Sequence, residues 1–209
     1  MGDVVFLVDT SNDPQSIRNV RHLLYNMVNS FNVSRETIRV GLAQYSDVPR
    51  SEFLLSTYRH KGDVLNHIRR LPLKPGGPGG KKMGLAMQFL LDHHFQERAG
   101  SRASQRVPQV AVVVSSSPAE DPVQEPAEAF RRAGILLYAV GLRGASKAEL
   151  RKIASSPVEK FVFFVPNYST LGSLTQKLQK ELCDTLAKAA EPADHVSPGT
   201  KTFPFLFLI

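Results

Sequence analysis

The feature that most constrains the fold is an apolar run at residues 4–8 that stops at Asp9. An uninterrupted apolar run bounded by polar residues predicts a strand buried on both faces, as in a parallel sheet. Asp9, Ser11 and Asp13 then place three oxygen-bearing side chains within five residues. Oxygen ligands suit a hard divalent cation, and open α/β sheets bind ligands at the carboxyl ends of their strands. The start of the chain therefore predicts a polar ligand-binding face at the end of a buried strand.

The rest of the chain alternates apolar strand patterns with amphipathic helix patterns, which predicts βαβ units and a mainly parallel sheet. Further strands are predicted at 37–45, 107–114, 134–140 and 161–165, with Pro49 in a turn before an edge strand at 52–55. Helices are predicted from Pro14 and over 61–70, 82–95, 122–133, 146–155 and 169–188. We expect one doubly wound α/β domain over 1–188, with a mainly parallel six-stranded sheet, one antiparallel edge strand and helices on both faces. Residues 189–209 are predicted to form a disordered linker followed by an apolar tail.

Several single residues have predicted structural roles. Leu85 is expected to point inward from helix 82–95. Cys183 on the last helix is interpreted either as a small buried side chain or as a thiol that pairs with another chain or a neighbouring domain. Glu120 and Asp121 are expected to serve the positive end of helix 122–133. The hydroxyls of residues 115–117 are expected to cap the end of their strand. The adjacent His93 and His94 lie on different helix faces, so they are interpreted as surface or packing residues and not as a metal pair.

Composition narrows the class of protein. The 209 residues are 42% apolar and 22% charged, which is typical of a soluble globular domain. The formal charge of +7 favours acidic partners such as heparin-like polyanions, but the basic residues are scattered and no nucleic-acid motif appears. A single cysteine excludes an internal disulfide. No stretch reaches the ~20 apolar residues of a membrane span, and no signal peptide is visible.

The chain resembles the von Willebrand factor type A domain family over nearly all of residues 3–188. The likeness lies in the strand that leads to Asp9 and Ser11, the glycine-rich loop before helix 82–95, the strand at 107–114 and the segment 131–141. Together with 146–155, that last segment is most similar to the A domains of collagen VI alpha chains. The resemblance implies a doubly wound fold that binds protein ligands, often through magnesium held by a metal-ion-dependent adhesion site.

The same resemblance assigns five positions to that site, and this chain departs from the pattern at three of them. Asp9 and Ser11 match, Asp13 stands where a serine is expected, Lys81 stands for a threonine, and Ser116 stands for an aspartate. An ammonium cannot ligate magnesium and would repel it. We hypothesise that Lys81 takes the place of the cation beside Asp9 and Asp13; the alternative is that Lys81 points to solvent. No metal or other cofactor is expected.

The resemblance implies a non-catalytic interaction module of a secreted, extracellular matrix protein, whose ligand-binding face comprises Asp9, Ser11, Asp13, Lys81 and Ser116. The expected partners are other matrix proteins or collagen chains, with heparin-like polyanions in addition. One alternative is a metal-dependent adhesion domain that binds magnesium through Asp9, Ser11 and Asp13. Another is an enzyme on the same sheet, which fold alone never excludes. Sequons at Asn32 and Asn167 in predicted loops indicate glycosylation sites and support secretion.

Overall fold

The computed structural model describes residues 1–10, 14–72 and 80–189. The described chain forms six strands and seven helices. The strands are β1 (Gly2–Asp9), β2 (Ile38–Tyr45), β3 (Pro49–Phe53), β4 (Gln109–Ser115), β5 (Leu136–Gly141) and β6 (Val162–Phe164). The helices are α1 (Pro14–Ser30), α2 (Lys61–Arg70), α3 (Met83–His93), α4 (Gln124–Arg132), α5 (Lys147–Ile153), α6 (Val158–Phe161) and α7 (Leu171–Lys188).

The six strands form one sheet in the order β3-β2-β1-β4-β5-β6. Strand β1 pairs in parallel with β2 and β4, and β4, β5 and β6 continue in parallel, whereas β3 runs antiparallel to β2 at one edge. Every residue of β1 and β4 is buried. Strands at the centre of a doubly wound sheet are covered on both faces, so this burial matches the arrangement. The predicted fold class is confirmed.

Helices flank the sheet in two groups. Helix α1 packs against α2 and α7, while α4 packs against α3 and α5. The apolar side chains of these helices join those of β1 and β4 in one core cluster. The inner face of α7 shows the periodicity well, with Leu171, Thr175, Leu178 and Leu182 buried at spacings of three and four residues.

Two predicted burials are wrong. Leu85 is 51% exposed, because Met83, Met87 and Leu90 form the inner face of α3 and a residue two positions after Met83 lies on the opposite side. Cys183 is an exposed free thiol, because it lies next to the inward Leu182 and is rotated off the inner face of α7.

Two strand boundaries also differ from prediction. The antiparallel edge strand begins at Pro49, three residues before the predicted start, and Pro49 pairs with Tyr45 instead of lying in a turn. Proline is tolerated there because it is the first residue of an edge strand. At the opposite edge, β6 has only three residues and follows the short helix α6, where the apolar pattern predicted a five-residue strand.

The segment predicted as a polar loop over 96–106 contains a buried charge. It forms two 3₁₀ turns, at Glu97–Ala99 and Ala103–Gln105. Between them, the Arg102 side chain is buried at the amino-terminal ends of the central strands. The Arg102 guanidinium pairs with the Asp3 carboxylate, with 2.7 Å between Nη2 and Oδ1, and Gln109 Nε2 donates to Asp3 Oδ2 at 2.7 Å. The other Arg102 donors bind the carbonyls of Gly2, Arg35, Glu36 and Thr37.

This network joins the amino-terminal ends of the central strands to the loop before β4. Asp3 is the second residue of β1 and fully buried, and Gln109 begins β4, so one carboxylate joins the starts of two central strands to the loop that carries Arg102. A buried ion pair is acceptable only when its remaining donors and acceptors are satisfied, and here four carbonyls complete the set.

The last described helix ends at Lys188, and the predicted linker and tail beyond Ala189 lie outside the described residues. Their assignment stays a prediction. Over 1–10, 14–72 and 80–189, none of the helices combines the length and apolar character needed to cross a lipid bilayer.

Candidate functional site

The carboxyl ends of the central strands bring together two of the predicted site residues. Asp9 ends β1, and Ser116 follows β4, the neighbouring strand. Asp9 Oδ2 accepts hydrogen bonds from Ser116 Oγ at 2.9 Å, from Ser116 N at 3.2 Å and from Ser117 Oγ at 3.0 Å. All three residues are buried. The carboxylate is therefore held by a cradle of neutral donors supplied by the end of β4, which we call the serine cradle (Ser116 and Ser117).

The residues of the serine cradle are themselves fixed by local capping. Ser115 Oγ donates to the carbonyl of Ser117 at 2.7 Å and accepts from Ser117 N at 3.4 Å. The predicted role of this serine run in capping its strand is thus confirmed. The loop after β5 passes closely over it, and a side chain on Gly144 would place its Cβ 2.7 Å from the Ser116 carbonyl oxygen. Gly144 also has a φ of 101°, so glycine is required there on both grounds.

Tyr45 is a buried residue beside Asp9. The sequence did not predict it as a site residue. It ends β2 directly opposite Asp9, and its carbonyl accepts from Thr10 N at 3.0 Å and Thr10 Oγ1 at 3.2 Å. Burial raises the pKa of the Tyr45 phenol well above its usual value, and the nearby negative charge of Asp9 raises it further. The phenol therefore stays neutral. The only signal in the sequence was its position at the end of a strand.

Lys81 lies in the loop before α3, which is fastened to the ends of two strands. The Lys81 carbonyl accepts from Glu120 N at 2.8 Å, and Lys82 N donates to the Ser46 carbonyl at 2.8 Å. Ser46 follows β2 and Glu120 follows β4, so the backbone of Lys81 is placed at the same edge of the sheet as Asp9. The Lys81 side chain is half-buried. That its ammonium pairs with Asp9 stays a prediction.

Asp121 corrects one prediction and strengthens this face. It caps α3 and not the nearer α4: Oδ1 accepts from Gly84 N at 3.0 Å and Oδ2 accepts from Leu85 N at 2.7 Å. A carboxylate is favourable at a helix N-terminus, where backbone N–H groups lack partners. A Cβ on Gly84 would lie 2.0 Å from the Pro122 carbonyl oxygen, so the two segments are in direct contact. The loop after β4 and the start of α3 thus form one continuous wall.

A second carboxylate anchors the other side of the face. Glu149 Oε2 accepts from Ala119 N at 2.9 Å, and the Ser146 hydroxyl caps the first turn of α5 by accepting from Glu149 N at 3.3 Å. Among the described residues no group of three or more His, Cys, Asp or Glu side chains could hold a metal ion. Ser11 and Asp13, two of the predicted ligands, lie outside the described residues.

The remaining candidate residues are the two sequons and the histidine pair, and of the sequons Asn167 follows β6 and lies at the same edge of the sheet as Asp9. Asn32 and Asn167 are both exposed in loops, as a glycosylation site must be, and Asn167 Oδ1 accepts from Ser169 N at 3.1 Å. Their glycosylation stays a prediction. His93 is exposed, whereas His94 is buried and bonds Ser51 through Nε2 and the serine hydroxyl at 2.8 Å, so the interpretation as surface and packing residues is confirmed. Burial lowers the pKa of His94 to about 4.

Comparison with curated proteins supports the resemblance on which the site was predicted. The mouse collagen alpha-4(VI) chain is 62% identical over 199 residues, which is 95% of this chain and 8% of that relative. Mouse matrilin-2 is 33% identical over 190 residues, which is 88% of this chain and 19% of the relative. The chain thus spans only a small part of the length of these relatives. They indicate a module of the extracellular matrix type, and they are structural proteins and not enzymes.

Solved structures show the same fold. Proximal thread matrix protein 1 from the mussel byssus superimposes with a TM-score of 0.74 at 21% identity, over 87% of this chain and 46% of that chain. Another structure of that protein has a zinc-occupied adhesion-site motif. The manganese-loaded TRAP protein of Plasmodium vivax gives a TM-score of 0.68 at 19% identity, over 83% and 71% of the two chains. The family model for the von Willebrand factor type A domain matches residues 3–177, and the chain belongs to that family.

Proposed function

We propose that the domain is a non-catalytic protein-interaction module of an extracellular matrix protein, and that its ligand-binding face works without a divalent cation. The observation that carries the proposal is the serine cradle around Asp9. Three neutral donors already occupy Asp9 Oδ2, at distances of 2.9 to 3.2 Å. These donors satisfy the buried carboxylate oxygen without a metal.

The chemistry of the available donors supports the same conclusion. Mg²⁺ demands near-octahedral oxygen ligands and gives up its water reluctantly. Ser116 offers a hydroxyl where the family pattern has a carboxylate, and the hydroxyl is directed to Asp9. Lys81 offers three donors and no acceptor where the pattern has a threonine. Its backbone is fastened between the ends of β2 and β4, so the cationic side chain originates at the site. We propose that this ammonium supplies the positive charge that relatives take from a metal.

The partners follow from the setting. Relatives that are collagen and matrilin chains favour other matrix proteins or collagen chains as partners, and a secreted location. Hydrogen bonds hold two sides of the face: Asp121 binds the start of α3, and Glu149 binds the loop after β4. Sides held in this way lower the ordering cost of binding, which suits docking of a folded partner.

The decisive experiment is calorimetric titration of the purified domain with Mg²⁺ and Mn²⁺. We expect no micromolar binding by the native domain, and measurable binding by the double variant Lys81→Thr/Ser116→Asp. The matched control Lys82→Thr/Ser116→Asp loses the same charge but keeps the ammonium at position 81, so it should bind more weakly. Micromolar affinity in the native domain would overturn the proposal and favour metal-dependent adhesion through Asp9, Ser11 and Asp13.

Matrix binding is tested separately. In a screen against immobilised matrix proteins, Asp9→Asn should weaken capture of the partner, whereas the distant, exposed Arg132→Gln should leave it unchanged. Equal capture of the partner by the native domain, Asp9→Asn and Arg132→Gln would show that the predicted face does not bind the partner.

A further inference from the structure

A small cavity at the opposite end of the sheet is surrounded by arginines. It has a volume of about 130 Å³ and is lined by Arg35, Arg39, Leu55, Ser56, Tyr58 and Arg59. We call it the arginine cavity. Arg39 pairs in register with Asp3 near the start of β1, six residues before Asp9. At roughly 3.3 Å per strand residue, the cavity lies about 20 Å from the serine cradle. It is therefore a separate surface.

The positive charge of this cavity is only partly offset by the nearby carboxylates of Asp3 and Glu36. Within the described part of the chain, Arg35, Arg39 and Arg59 form no ion pair with a carboxylate, whereas the neighbouring Arg102 is paired with Asp3 at 2.7 Å. Burial lowers the pKa of the Arg39 guanidinium most, and the positive charges of Arg102 and Arg35 lower it further, whereas Asp3 and Glu36 act in the opposite direction. Like charges crowded around one cavity favour an anion inside it.

Arg39 is positioned by contacts with backbone carbonyls, which leaves donors for a ligand. Arg39 Nε donates to the Arg35 carbonyl and Arg39 Nη1 donates to the Gly100 carbonyl, both at 2.9 Å. These two bonds fix the plane of the guanidinium at the cavity wall. Its Nη2 makes no hydrogen bond with a described residue. A planar guanidinium with fixed orientation matches the paired oxygens of a sulfate or phosphate group.

We propose that the arginine cavity binds a sulfate group of a sulfated glycosaminoglycan chain. The choice of a sulfated polysaccharide rests on the proposed function in the extracellular matrix. The cavity is smaller than the ~300 Å³ at which small-molecule pockets begin, so it suits one anionic group of a longer chain and not a whole free ligand.

The surface next to the arginine cavity can contact the neighbouring sugars of the glycosaminoglycan. A second cavity of about 300 Å³ shares Tyr58 as a wall and is otherwise lined by Asp63, Asn66, His67, Arg70 and Pro72. The negative charge of Asp63 would repel a second sulfate group in this cavity. The cavity therefore suits the hydroxyl groups of a sugar, with Arg70 as an additional cation. Exposed single contacts are weak and screened by salt, so binding requires several along one chain.

The test uses the intact domain and immobilised heparin at physiological salt, measured by surface plasmon resonance. Arg39 also fastens β2 to the loop at Gly100, so the variant changes the two exposed arginines instead, as Arg35→Gln/Arg59→Gln. We expect it to lose about tenfold in affinity, because each exposed charge contact contributes modestly. The matched control Arg132→Gln/Arg143→Gln removes the same charge from exposed positions elsewhere and should change affinity by less than about twofold.

Competitors identify the group that is bound. Chemically desulfated heparin and hyaluronan, which keep carboxylates, should compete at least about tenfold less well than heparin. Equal losses in the two double variants would overturn the proposal by showing that only net charge matters. Equal competition by desulfated heparin, stronger competition by polyphosphate, or no heparin binding at all would also overturn it. Matrix-partner capture that survives Arg35→Gln/Arg59→Gln separates this result from the proposed function, which depends on the Asp9 face.

Discussion

The buried guanidinium of Arg102, which pairs with Asp3, allows a quantitative test of what stabilises this domain. Arg102→Met keeps an unbranched apolar side chain but removes every guanidinium donor to the Asp3 carboxylate and to the carbonyls of Gly2 and Thr37, while the Arg102 backbone N still donates to Asp3 Oδ2 at 2.7 Å. Asp3 is 0% exposed, so its charge would remain buried with Gln109 Nε2 as its main side-chain donor. Removing one member of a buried pair costs about 3–5 kcal/mol. For a domain of this size each kcal/mol lowers the Tm by about 2–4 °C.

We therefore expect Arg102→Met to lower the Tm by roughly 6–20 °C, measured by circular dichroism and checked by urea unfolding. Arg98→Met is the matched control, because Arg98 is an exposed arginine in the same loop, and it should cost less than about 0.5 kcal/mol. In the double variant with Asp3→Asn the losses should be less than additive, since the orphaned charge is gone. A cost for Arg102→Met below about 1 kcal/mol, as for a surface pair, would refute the reasoning.

Three further outcomes are expected. Asp121→Ala removes the cap of α3 and should cost about 0.5–2 kcal/mol in urea unfolding, with no change in the slope; no loss would show that the cap is dispensable. The buried His94 has a pKa of about 4 against about 6.5 in the unfolded chain, so the unfolded chain takes up the proton first and stability falls as pH falls from about 6.5 to 4. The Tm of His94→Gln should fall less over that range, and an equal fall would contradict this. Mammalian-expressed domain should lose mass on glycosidase treatment unless Asn32 and Asn167 are both changed to Gln; an unchanged mass in the native domain would remove that prediction.

The general architecture was predictable because each element carries its own periodic pattern. The helix predicted at 61–70 has those bounds in the structure, and the buried strand before Asp9 lies at the centre of the sheet. Apolar spacing is a local property of the chain, so it can be recognised without knowing the tertiary contacts. The contact between Asp9 and Ser116 was predictable for a further reason, since family resemblance placed both at the carboxyl ends of strands.

What the sequence could not show depends on partners far away along the chain. Arg102 bonds Asp3 across 99 residues, and Asp121 caps a helix that begins 38 residues earlier, whereas the prediction assigned it to the helix beside it. Charged side chains are normally exposed, so a lone arginine in a polar stretch carries no sign of burial. The arginine cavity has the same origin, because the start of β2 and two loops bring its residues together.

The two outer strands of the sheet have a consequence for crowding. One, β3, begins with a proline and carries Arg50 and Glu52, and the other, β6, is three residues long. Short, charged or proline-bearing margins are poor templates for another backbone to add to. Copies of this module are therefore expected to tolerate high local concentration without joining edge to edge into continuous cross-β ribbons.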